Sequence, residues 1–162
     1  MIVYELNQAD HITRTEGDWS EVTDRVVGRP IWDYVRDAGL VEVYQYLFDK
    51  VRQDGAGLSC GYRCDTPSHI QRMRLHIRPL EQRAIQVASE VLERIERPSP
   101  VVAISVERGF ALALRCSICA RYGRSQDWAD LAEAAASDWL DTDRPIRVYH
   151  GICPDCREGI LG

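Results

Sequence analysis

Four of the six cysteines fall into two pairs, Cys116-Ser-Ile-Cys119 and Cys153-Pro-Asp-Cys156, with residues 120–152 between them. In a Cys-x-x-Cys turn both sulfurs face one point and nearby amide N–H groups can reach them. Two such turns complete a tetrahedron of thiolates around a metal ion. Proline after Cys153 fixes φ and favours the same turn. The spacing predicts a metal centre ligated by Cys116, Cys119, Cys153 and Cys156, with zinc as the ion. Iron in the same four-thiolate site is the variant that ligand softness and geometry also permit. A full set of four protein ligands leaves no open coordination position, so the expected metal is structural. A pair of redox-active dithiols and plain unligated cysteines stay open as alternatives.

Four thiolates on a divalent ion carry a net negative charge that is costly to bury without compensation. Arg115, Arg121 and Arg157 flank the pairs and are candidates to offset it. His150, three residues before Cys153, is expected beside the site and not as a ligand, since four better ligands exist. Cys60 and Cys64 are spaced to share one face of a strand. They read as small apolar residues of the core in preference to a redox pair or ligands. The histidines His11, His69, His76 and His150 are scattered, and no serine or cysteine nucleophile sits in a recognisable motif. No catalytic residue is assigned and no enzyme is expected.

The elements that must position the cysteines follow from composition and periodicity. In 162 residues, 45% are hydrophobic and 28% charged, the profile of a globular chain with a real core. A net charge of −5 gives no overall case for nucleic-acid binding. No apolar run approaches a membrane span and the start carries no export signal, so a cytoplasmic, reducing location is expected, where cysteines need a reason other than disulfides.

Ile2 to Leu6 and His11 to Thr15 read as two short strands around the turn at residues 7–10. Trp19, Val22 and Val26 fall at helical spacing up to Gly28-Arg29-Pro30. Ile31, Trp32 and Val35 suggest a further helical turn. Leu40, Val43, Tyr44, Leu47, Phe48 and Val51 line one face of a longer helix ended by Gly55 and Gly57. Leu58 to Asp65 and Ile70 to Arg78 form an antiparallel pair, the second alternating Met73, Leu75 and Ile77 with a basic solvent face. Ala84 to Ile95 fits either strand or helix, with propensity favouring helix.

Arg97-Pro98-Ser99-Pro100 opens a linker over 98–109. Val101 to Val106 and Phe110 to Arg115 are β-like. Ser125 is expected to cap a helix from Gln126 to Leu140, with Trp128, Leu131, Ala132, Ala135 and Trp139 on one face. Ile146 to Tyr149 leads into the second cysteine pair.

A β hairpin, short helices, one longer helix and a run of antiparallel strands resemble a PAS domain. The likeness is carried by IVYELNQADHITRTEGDW, VVGRPIWDYV, LVEVYQYLFDKVRQDG and especially GYRCDTPSHIQRMRLHIRPL, covering about residues 2 to 97. The resemblance implies that Ala84 to Ile95 is the last sheet strand, against its propensity, as tertiary context allows. The tail, RCSICARYG followed by VYHGICPDC, is similar to a CSxCxR…HGICPxC extension that follows some PAS or receiver domains in bacterial signalling proteins, over about residues 114 to 157. The implied fold is α+β: a PAS-like antiparallel sheet flanked by short helices (1–97), the linker, and a zinc-ribbon-like four-cysteine subdomain (110–162).

PAS domains bind ligands between sheet and helices or act as dimerisation and relay modules, so a homodimer and a signalling partner or small ligand are implied. Photosensing flavin PAS domains carry a GxNCRFLQ-like motif, which no stretch here matches. Haem PAS domains usually ligate through a helical histidine, and the long helix has none, so no chromophore is expected. Trp19, Trp32, Tyr44 and Tyr62 can line a cavity but at these spacings read as core. The expected function is a non-catalytic sensor or adaptor. Two alternatives are a thiol redox switch that releases zinc and a small DNA-binding regulator, which the acidic residues Asp127, Asp130, Glu133 and Asp138 argue against.

Overall fold

The computed structural model describes residues 1–17, 25–35 and 37–161. Trp19 and Val22, expected at helical spacing, lie outside the described residues. No helix among the described residues is long and apolar enough to cross a membrane.

The fold is α+β with two five-stranded sheets. In the first, β1 (Ile2–Leu6), β2 (Ile12–Glu16), β3 (Leu58–Arg63), β4 (His69–Pro79) and β5 (Ile85–Glu96) lie in the order β2-β1-β5-β4-β3, every neighbour antiparallel. The ambiguous segment is therefore the central strand. Ile85 and Val87 point into the core and are fully buried, while Ala88 sits on the other face opposite His76. A helix would have no ladder partner for the buried backbone of β1 and β4, so pairing overrides propensity here.

Helix α1 (Ala38–Asp54) packs across this sheet. Asp37 caps it by accepting from the Leu40 amide at 3.0 Å, and Gly55, at φ 65°, closes it with an N–H to the Val51 carbonyl. Val43, Leu47, Phe48 and Val51 meet Leu6, Ile12, Leu75, Ile77, Ile85 and Val87 in one core. Each such buried side chain contributes about 1.5–3 kcal/mol relative to exposure. Trp32 and Tyr44 pack on Phe48, at 6.0 and 5.6 Å between ring centroids, as core aromatics. The 5% exposed Arg52 ties the helix to two loops, donating to the Asn7 carbonyl, the Asp10 carboxylate and the Arg83 carbonyl.

The second sheet is mixed. It contains β6 (Ala103–Ser105), β7 (Ala113–Cys116), β8 (Tyr122–Arg124), β9 (Asp127–Ala129) and β10 (Ile146–Gly151) in the order β6-β10-β7-β8-β9. β10 runs parallel to both β6 and β7, and the remaining pairs are antiparallel. Helix α2 (Leu131–Ala136) lies in the crossover from β9 to β10, and α3 (Pro154–Leu161) follows β10. The expected linker over 98–109 thus supplies β6, and the Arg97 and Val101 amides bond to the Ser68 and Pro67 carbonyls.

The expected helix over 126–140 is corrected. Ser125, at φ 58°, is the turn of the β8–β9 hairpin and not a cap. Trp128 lies on β9, its ring packed where a Cβ on Gly123 across the hairpin would stand 3.0 Å from it. The helix starts only at Leu131, capped by Asp130, which accepts from the Glu133 amide at 2.9 Å. Asp130-Leu-Ala-Glu133 has the cap-x-x-Glu spacing of a helix start. The helix ends near Ser137 because Asp138 takes a left-handed conformation, φ 55°.

Candidate metal centre

β7 and β10 are parallel neighbours in register, with Gly151 opposite Cys116. The two cysteine turns therefore leave the same end of adjacent strands, which brings together pairs far apart in sequence. The first turn folds back at once: the Ala120 amide bonds the Cys116 carbonyl at 2.9 Å, Ala120 adopts φ 60°, and the Cys116 amide bonds the Arg121 carbonyl at 2.8 Å. The Ser117 amide bonds the Gly151 carbonyl at 2.8 Å and stitches this turn to the end of β10. The second turn is a helix start. Cys153 precedes Pro154, the first residue of α3, and Cys156 sits in its first turn.

The sulfurs of Cys116, Cys119, Cys153 and Cys156 all lie within 4.8 Å of one another, and Cys119 and Cys153 are 3.7 Å apart. A disulfide needs about 2.05 Å. A tetrahedron of sulfurs at about 2.3 Å from a metal has edges of about 3.8 Å. The arrangement can hold a metal ion. Cys116 and Cys153 are buried, at 1% and 0% exposure, while Cys119 and Cys156 are half-buried.

Hydrogen-bond donors converge on the sulfurs, and they favour the thiolate at Cys119, while the Cys119 sulfur and burial oppose it at Cys116, and burial and sulfur neighbours oppose it at Cys156. The Cys153 amide donates to the Cys116 sulfur at 3.4 Å and the Cys156 amide to the Cys153 sulfur at 3.5 Å. Arg121 donates from Nε to Cys119 and from Nη2 to Cys153, each at 3.3 Å, while Asp155 holds the same guanidinium at 2.6 Å. The bond from Cys116 and then the Arg121 guanidinium draw the Cys119 thiol down to about 4. Burial, then bonding to Cys153 and Cys119, pushes Cys156 up to about 12.

Of the three flanking arginines, only Arg121 serves the sulfurs. Arg157 pairs with Glu42 on α1 at 2.6 and 3.0 Å. Arg115 turns away, 3.8 Å from Asp65 and over the Tyr122 ring. His150 is outside the sulfur cluster: its Nε2 lies 2.8 Å from the Ser105 hydroxyl and its Nδ1 3.7 Å from Asp37. Burial, opposed by Asp37 and helped by Arg115, holds its pKa below the ordinary value. Cys60 is half-buried against the first core, where burial pushes its thiol up, and Cys64 lies beyond the end of β3, exposed. Neither belongs to the cluster.

The centre sits where the two sheets meet. Cys116, Ile118 and Cys153 are buried in the same core as Phe48. The Arg63 amide bonds the Ile118 carbonyl at 2.7 Å, and the Ser117 hydroxyl donates to Asp37, the cap of α1, at 2.6 Å. Gly39 in the first turn of α1 approaches so closely that a Cβ there would stand 3.1 Å from Ile152.

Sequence reasoning missed a second polar cluster beside it. Asp65, its side chain 4% exposed, receives Arg63 and Arg97, the latter at 2.8 Å. Nothing local marks this group, because Arg63 ends β3, Asp65 lies in the β3–β4 connection, Arg97 follows β5 and the nearby Arg115 comes from β7. Comparison with protein-family models gives no match for this chain, and comparison with curated proteins gives none either.

Proposed function

We propose that the chain is a non-catalytic sensor or adaptor in which the first sheet and α1 form a PAS-like domain that recognises a ligand or partner, and a zinc ion on Cys116, Cys119, Cys153 and Cys156 braces a zinc-ribbon-like second half against it. The observation that carries this reading is the four-sulfur cluster at the seam, two of its cysteines buried in the first core. Its spacing suits a tetrahedral ion, and its donor set of four thiolates suits zinc with no position left for substrate. The order of hairpin, helical turn, longer helix and three antiparallel strands supports the PAS-like part.

Elemental analysis and an absorption spectrum of protein purified without added metal test it. One zinc per chain and no visible band is the expected result. A visible charge-transfer band would assign iron instead. Metal-free protein that stays folded while its cluster thiols react rapidly overturns the brace. Zinc lost to mild peroxide and regained with a thiol would move the role to redox switching.

A further inference from the structure

Beside the metal centre, the seam between the sheets opens into a cavity of about 520 Å³, lined by charged residues from both halves. That volume lies in the range of small-molecule sites, about 300–1,000 Å³. Arg63 and Asp65 come from the first half, Arg115 and His150 from the second, and Asp37 from the cap of α1.

The lining carries two arginines and two carboxylates, and Arg97 behind it adds a third guanidinium on Asp65. Asp65 is the one carboxylate that Arg63, Arg97 and Arg115 share, and its Oδ2 is bonded by Arg63 and by Arg97 at 2.8 Å. Arg115, its side chain 18% exposed, stops at 3.8 Å from that oxygen, beyond hydrogen-bond distance, so the exposed end of its guanidinium lines the cavity without a hydrogen bond to Asp65, while its Nε is shielded and has no partner among the described residues. Asp37 keeps its charge but is not paired with Arg115: its oxygens take the Leu40 amide and the Ser117 hydroxyl, and His150 stands 3.7 Å away. A desolvated guanidinium with unused donors is costly, and its planar fork matches a carboxylate or phosphate.

We infer that this cavity binds a small oxyanion, a carboxylate or phosphate group, on the unpaired face of Arg115, with the Ser105 hydroxyl and His150 at its rim. The ligand would then touch β6, β7 and β10 of one half and the β3–β4 connection of the other, next to the first cysteine turn. This goes beyond the brace and does not depend on any signal being relayed.

Calorimetric titration of the full chain at constant ionic strength, with inorganic phosphate in one arm and succinate in the other, tests it. Saturable one-to-one binding of either is expected, and the arm that binds identifies the chemistry. Arg115→Gln should weaken binding at least tenfold. Ser105→Glu, which leaves the buried arginines intact and sets a competing carboxylate at the rim, should do the same, and decides the matter if the first variant does not fold. Zinc measured in the same samples separates the two proposals: variants that keep zinc and lose the anion support the pocket. No saturable binding in the millimolar range by either anion, or variants that bind like the parent chain, overturns it whatever the metal content.

Discussion

The two sheets are stabilised by different means. The first has strands of up to 12 residues and a core of large side chains, with Phe48, Leu6, Ile12, Ile77 and Ile85 fully buried under one long helix. The second has strands of three to six residues, a six-residue helix, and a core in which Ala113, Ala129 and Ala134 stand beside Tyr122, Leu140, Ile146 and Val148. Alanines bury little area, so hydrophobic burial alone contributes far less there. A region of that kind needs a staple, and the four-sulfur cluster occupies the edge that faces the larger core. The contrast teaches where loss of one contact should be local and where it should be global.

The sharpest break is to remove one ligand. Cys153→Ser in the full chain is expected to abolish stoichiometric zinc and to strip hydrogen-exchange protection from β7, β10 and α3 while β4 and β5 stay protected. Structural zinc contributes on the order of 10 kcal/mol in small metal-dependent folds. Uniform loss of protection over both sheets would show that the halves stand or fall together. Next comes Phe48→Ala, which should cost about 3–5 kcal/mol and lower the denaturation midpoint of the first sheet. A loss under 1 kcal/mol by chemical denaturation would remove the claim that this core is the stronger one. The smallest effect is expected from Asp130→Ala, about 1 kcal/mol from loss of the α2 cap. It should appear as faster exchange in α2 with zinc content unchanged, and released zinc would show that α2 is part of the brace.

Local chemistry made the cysteine turns legible. Four cysteines in two Cys-x-x-Cys pairs mark a candidate site whatever the intervening chain does, and the fold gathers those four sulfurs within 4.8 Å of one another. The helix α1 was equally plain, because its apolar face repeats over the whole element. The span 126–140 misled because Trp128, Leu131 and Ala135 fit a helical face even though a tight hairpin at Ser125 consumes the first part. The Asp130 cap was the available signal against it. β5 was undecidable from its own residues, since its place depends on β1 and β4 on either side. The contacts across the seam had no signal at all: Ser117 with Asp37 and Arg157 with Glu42 are 80 and 115 residues apart.

The parallel pairing of β7 with β10 has a consequence for how a metal ion would be acquired. Bringing distant segments together costs chain entropy that grows with the logarithm of the intervening length. Here the strand ladder has already closed that loop when Gly151 comes opposite Cys116. A metal ion taken up there would have only side-chain rotations left to freeze, and either knuckle could let go of it while the backbone keeps the other two sulfurs within reach for recapture.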